Sequence, residues 1–461
     1  MAGDCIMSVE DDCEALRLPL SLLDLLSNIV IFDSILPYLP LSAVFRLSKT
    51  SHSFRSLIFY TPSAFRSLDL SKCRGAYVPP NLLTPIDGGG HSWRAERMDE
   101  NLTEDEFYAG PLRGVLGNLR RMRVLDNVHT LVLDELASVT HDLVADIVLG
   151  SNFNVRLLSI RRCLNVNPSK LQQLLRHICR PSRPEGTPRL QGLYVFTQPG
   201  SHEWRKPSHP VLSQNVQFPD DGVHLRPVPD DQVSIHRTDD ELWYSPVGRV
   251  ISHGYAQRSS WEETLQVCKG IICFDAVLCT HMHADMAPVL HDAAREFLTQ
   301  HKPGIPTLAS MALGPEGCAS CGRAPSEAPV WGESDYHEFP LLWPPPPSGK
   351  IVDAVRPPPS RTRPGAGSSR QRLIVSCTWC LANRHCESCQ RWWCADCYHP
   401  RKSKKLSDLE RLSGAGLNYL PSREELSSGG GDHIKVFHGL CVENCLVGEW
   451  MAGAGDGGMW G

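Results

Sequence analysis

The chain has 461 residues, 41% of them hydrophobic and 21% charged, with a formal net charge of −5. That length exceeds what a single hydrophobic core supports, so two or three domains are expected, and charge spread over both signs excludes a global electrostatic attraction to nucleic acid or membrane. The opening MAGDCIMSVEDDCEALRL is acidic where a secretory signal is cationic, and no later run reaches transmembrane length, so a cytoplasmic and/or nuclear setting is expected.

Residues 16–61 read as a helical block. Apolar residues recur at Ile31, Ile35 and Leu39, at Leu41, Val44, Phe45 and Leu47, and at Phe54, Leu57 and Ile58, with phase breaks at Pro37 and Pro40. Three short helices are predicted, with Ser42 and either Ser51 or Ser53 as N-caps.

From residue 62 to 310 short apolar pieces recur: FRSLDLSKC, VHTLVLDEL, VRLLSIRRCLNV and LQGLYVF. Apolar residues two apart suit strands with a buried face, helical segments separate them, and the 27-residue offset from Leu131 to Leu158 fits a leucine-rich repeat. The alternative is a generic α/β domain with parallel strands. Residues 198–240 carry no periodicity and read as connector, whereas IICFDAVLC has strand character and SSWEETLQVC reads as a short helix capped by Ser259 or Ser260. Directly after that strand comes THMHAD. This H-x-H-x-D run resembles the motif of metallo-β-lactamase-fold hydrolases, which implies His281 and His283 on one metal and Asp285 on the other, but the next family position is Met286 here and no further ligands are visible.

Residues 311–371 hold the pair Cys318/Cys321 and then a Pro-rich stretch, 344–371, that reads as a semi-extended spacer. A cysteine ladder follows within 372–449: Cys377/Cys380, Cys386/Cys389, Cys394/Cys397 and Cys441/Cys445, with residues 450–461 as a flexible tail. A C-x2-C turn aims two thiolates at one point, and two such turns complete the tetrahedral shell Zn²⁺ prefers, so two structural zinc ions are expected. Only four residues separate Cys389 from Cys394, which favours alternating ions. The spacing suggests Cys377, Cys380, Cys394 and Cys397 on one ion and Cys386, Cys389, Cys441 and Cys445 on the other. His433 and His438 could replace the last pair, and Cys318 and Cys321 could form a separate knuckle, displace the Cys377 pair or bind nothing. Trp392, Trp393 and Tyr398 would supply the small core such a module needs. The basic run Arg401–Lys405 reads as a solvated loop.

Two further resemblances bear on function. The order LPYLPL then AVFRLSKTSHSFRSLI resembles an F-box, with Phe54 where that family usually has Trp, and RHCESCQRWWCADCY resembles the centre of ZZ-type and RING-like zinc modules. The overall fold class is then multidomain α+β: a three-helix F-box, an irregular leucine-rich-repeat-like α/β middle and a cross-brace-like zinc module, a layout similar to fungal F-box proteins. The resemblance implies a non-catalytic substrate receptor of a cullin-RING ubiquitin ligase, docking the Skp-family adaptor through Leu36, Pro37, Leu39, Pro40, Leu47 and Phe54 and holding a protein substrate through the middle or C-terminal region. Other readings are a stand-alone RING-like ligase or zinc-dependent protein reader, and a metal-dependent hydrolase.

Overall fold

The computed structural model describes residues 21–77, 104–197, 248–250, 261–279, 307–314, 317–325, 328–356, 372–377, 380–381, 383–399 and 433–446. The architecture is α+β, with helices first and strands threaded through the remainder.

The N-terminal block contains α1 (Leu22–Ser27), α2 (Ile29–Ile35), a 3₁₀ turn at Leu36–Tyr38, α3 (Leu41–Ser48) and α4 (His52–Tyr60). Four α-helices thus stand where three were expected, because Asn28 ends the first and caps the second, its Oδ1 accepting from Val30 N at 3.0 Å. Pro37 breaks the phase as predicted, tightening the chain into the 3₁₀ turn. Ser51 caps α4 by accepting from Phe54 N at 3.2 Å, but α3 begins one residue before Ser42, with Pro40 at the cap position and no side-chain bond. Leu26, Phe32, Val44 and Ile58 are buried. Phe45, Phe59 and Phe65 pack with ring centroids 5.6–6.3 Å apart, tying α3 and α4 to the segment that leads into the first strand.

Five strands then form one sheet in the order β1 (Ser67–Asp69), β2 (Thr130–Val132), β3 (Leu157–Ser159), β4 (Gly192–Tyr194) and β6 (Cys273–Phe274), each parallel to its neighbour. The register aligns Leu68, Leu131, Leu158, Leu193 and Phe274 across the sheet. Parallel neighbours need a crossover, and these are made by α5 (Glu104–Arg121), α6 (His141–Leu149), α7 (Pro168–Ile178) and α8 (Glu262–Cys268). The aligned apolar row packs into one large core with the helices. Helix α8 is preceded by Trp261 as its cap residue rather than a serine.

Successive strand residues face opposite sides, so Leu157, Tyr194 and Cys273 face away from those helices. They belong to a second core with Phe339, Leu341, Leu342 and α9 (Ile351–Val355). This corrects the reading of 344–371 as a spacer: its described part, 344–356, is packed on the sheet. Leu341 N donates to Phe274 O at 2.8 Å, and Thr130 Oγ1 donates to Pro346 O at 2.8 Å. Glycine at 192 permits close packing here: a Cβ would come 2.6 Å from Leu157 Cδ2 and 3.1 Å from Ile351 Cδ1, so those side chains would have to shift.

A three-stranded antiparallel sheet, β5 (Gly248–Val250), β7 (Met311–Leu313) and β8 (Ile374–Ser376), leads into the cysteine-rich region, which ends in a two-residue-strand hairpin, β9 (Val436–Phe437) and β10 (Leu440–Cys441). No helix among the described residues is long and apolar enough to cross a membrane.

Candidate metal centres

Among the described residues, three sets of cysteines bring their Sγ atoms within 4.8 Å of one another: Cys318, Cys321, Cys394 and Cys397; Cys386, Cys389, Cys441 and Cys445; and Cys279, Cys377 and Cys380. Each is a donor set able to hold a metal ion.

In the first set, the turn after β7 carries buried Cys318 and exposed Cys321 to Cys394 and Cys397. Gly317 and Gly322 hold φ of 90° and 66°, and a Cβ on Gly317 would lie 2.7 Å from Gly322 O, so the turn needs glycine there. Cys394 N donates to Cys318 Sγ at 3.2 Å, and Cys321 Sγ lies 3.8 Å from Cys394 Sγ. Burial pushes the Cys318 thiol up, but backbone N–H donors from Cys394, Cys321 and Ser320 outweigh it and bring it down to about 7. Such donors favour the thiolate, the form that binds metal.

In the second set, a small hairpin places Cys386 and Cys389. Cys386 N donates to Arg391 O at 2.8 Å, Gln390 N to Cys386 O at 2.8 Å, and Gln390 takes φ of 60° to close the turn. The β9–β10 turn, with His438 at φ 45° and Gly439 at φ 79°, delivers Cys441, whose N–H donates to Cys386 Sγ at 3.2 Å. Cys389 Sγ and Cys441 Sγ are 3.7 Å apart. With metal–sulfur bonds of about 2.3 Å, the edge of a tetrahedral thiolate shell is about 3.8 Å, so both sets match a four-sulfur cage.

The membership of the second set is the one expected from spacing. The first is not: Cys394 and Cys397 are joined by Cys318 and Cys321, not by Cys377 and Cys380. The alternation survives this correction, because the pairs at 318, 386, 394 and 441 belong in turn to the first set, the second, the first and the second. His433 and His438 are exposed and join neither set; His438 occupies the hairpin turn instead. Trp392, Trp393 and Tyr398 are buried between the two sets and pack with Met311, Leu313 and Ile374 of the antiparallel sheet.

Cys377 and Cys380 group with Cys279, which sequence spacing left aside. Its only sequence signal is its place at the end of IICFDAVLC, and pairing it with residues almost a hundred positions away needs the fold. His281, His283 and Asp285, the hydrolase candidates, and the basic run Arg401–Lys405 lie outside the described residues.

The six positions expected to dock an adaptor all lie on the N-terminal helical block. Leu36, Leu39, Leu47 and Phe54 are half-buried against its core, Pro40 is exposed, and Pro37 opens the 3₁₀ turn. Around them Ile29, Val30, Tyr38 and Tyr60 are exposed, Tyr38 by 86% and Val30 by 70%.

Fold and site together define an α+β protein with cysteine sets able to hold metal ions. Comparison with protein-family models, curated proteins and solved structures finds no match in any of the three.

Proposed function

We propose that this chain is a substrate-recognition subunit of a cullin-RING ubiquitin ligase, docking a Skp-family adaptor through its N-terminal helices and holding two structural zinc ions in its C-terminal module. The supporting observation is the helical block itself: four short helices with Leu36, Leu39, Leu47 and Phe54 half-buried beside exposed Ile29, Val30 and Tyr38. This composition suits an interface whose energy resides in a few apolar side chains. The F-box-like order of these residues gives the partner its identity.

The rest of the chain would then present a target. On this reading β1, β2, β3, β4 and β6 form an irregular leucine-rich-repeat-like arc, but its face at β3, β4 and β6 is covered by residues 339–355 of the same chain. The substrate surface therefore shifts away from that face, toward the zinc module. Closed four-thiolate shells leave no coordination position for a substrate, so the zincs hold shape and carry no chemistry. The chain is non-catalytic; its mechanism is proximity, raising the local concentration of a target lysine near a conjugating enzyme brought by another subunit.

The alternation of cysteine pairs between two sets favours one other reading, a stand-alone RING-like ligase or zinc-dependent reader. Co-purification of the full chain with a Skp-family adaptor separates them. Binding that is lost in Leu39→Asp supports the receptor; absence of binding, or binding indifferent to both Leu39→Asp and Tyr38→Ala, rejects it. Autonomous ubiquitin transfer with a conjugating enzyme alone would establish the other.

A further inference from the structure

We propose that Cys279, Cys377 and Cys380 bind a third, thiophilic divalent ion, zinc in the cell, which clamps the end of the parallel sheet to the antiparallel sheet. This site lies outside the two four-cysteine shells and does not depend on adaptor binding.

The geometry repeats that of the two larger sets. All three side chains are buried and their sulfurs lie within 4.8 Å of one another. Cys279 Sγ and Cys380 Sγ are 3.8 Å apart, the edge of a tetrahedral thiolate shell with metal–sulfur bonds of about 2.3 Å. A disulfide would need about 2.05 Å, so this separation is not that of a bonded pair. Backbone donors point at the sulfurs as they do in the other sets: Cys377 N donates to Cys279 Sγ at 3.4 Å, and Cys380 N to Cys377 Sγ at 3.4 Å. The second of these is the bond a C-x2-C turn makes when it wraps an ion. Three thiolates provide three positions of a tetrahedral shell.

Backbone pairing explains why these sulfurs meet. After β6 the chain runs extended, with Cys279 N donating to Thr307 O at 2.7 Å and Ala309 N donating to Val277 O at 2.9 Å. The 307–310 segment continues into β7, Ser310 N donates to Ser376 O at 3.0 Å, and Cys377 follows β8 directly. The cluster therefore sits where the last parallel strand hands over to the antiparallel sheet, and an ion there would join segments about a hundred residues apart in sequence. Because the ligands bind as thiolates, loading would release protons and couple this junction to folding.

The test is metal stoichiometry of the full-length chain purified reduced in the presence of zinc. Three equivalents are expected, falling to two in Cys279→Ser and staying at three in the control Cys163→Ser, whose thiol donates to Leu133 O elsewhere in the core. Two equivalents in the wild type overturn this inference alone; none would overturn the zinc reading of the module as well, while the adaptor experiment stands apart from both. Should Cys279→Ser fail to fold, the wild type decides by alkylation and mass spectrometry. Chelator-dependent labelling of Cys279, Cys377 and Cys380 together supports the site. Labelling that chelator leaves unchanged, or a Cys279–Cys380 disulfide, rejects it.

Discussion

Asp275 shows how much of this fold rests on single buried polar residues. Its carboxylate accepts from Val195 N at 2.9 Å, Phe196 N at 3.1 Å, Thr197 N at 2.8 Å and Thr197 Oγ1 at 2.6 Å, and the residue is 1% exposed. It thereby satisfies the backbone donors that follow β4. Asp275→Ala leaves those donors in a dry site, so a loss of about 3–5 kcal/mol is expected, measured as a lower denaturant midpoint. Asp134 plays the corresponding part after β2, accepting from Ser159 Oγ at 2.6 Å and Arg161 N at 2.8 Å while pairing with the Arg161 guanidinium. His129 carries a pH dependence. Burial, then Arg156 and Arg66, hold its imidazole below its ordinary 6.5, and its Nε2 faces Asn154 Nδ2 at 3.3 Å. Because the folded state resists protonation, this contribution to stability is present above pH 6.5 and is lost as pH falls below it. Thermal melts stepped downward from neutral pH should lose less in His129→Gln than in the wild type; equal losses would assign the acid sensitivity elsewhere.

At the scale of elements, packing decides what each segment is for. The Pro-rich stretch reads as a spacer by composition, yet α9 and Leu341 close the second core on Leu157 and Tyr194. Its fit depends on Gly192, and also on Gly349, where φ is 67° and a Cβ would lie 2.5 Å from His129 Cβ. Gly192→Val would push α9 off the strand, and a cost of about 2–4 kcal/mol is expected from overpacking a dry interface. Hydrogen exchange should locate the loosening in 339–355 and in β3 and β4. The helical block makes the opposite case. Its apolar periodicity and Pro37 break were readable, and Ser51 was one of two cap candidates, because short helices are set by local residues. The extra break at Asn28 was not, since it shows only in the cap geometry, where Asn28 ends α1 and caps α2.

Across the whole molecule, the cysteine-rich module, the antiparallel sheet and the second core are continuous: Met311, Leu313 and Ile374 pack on Trp392 and Trp393, and the other face of β7 and β8 contributes Ala312 and Val375 to the core over the parallel sheet. If zinc holds the thiolates, chelation should release the tryptophans, seen as loss of their near-ultraviolet circular dichroism, before the parallel sheet melts. A single transition insensitive to chelator would show that the hydrophobic contacts suffice without metal. The sequence alone was enough for the helical character of the N-terminal block, though not its helix count, and for the strand rows at Leu131, Leu158 and Leu193, the aromatic core of the module and the alternating pair logic, since each depends on periodicity or spacing within a few dozen residues. Only the tertiary structure chose Cys318 and Cys321 over Cys377 and Cys380 as partners of Cys394 and Cys397, brought Cys279 to the displaced pair, and turned a Pro-rich stretch into core. The physical reason is common to all three: spacing limits which sulfurs can share a turn, but which turns face one another is set by strand pairing between segments far apart in the chain.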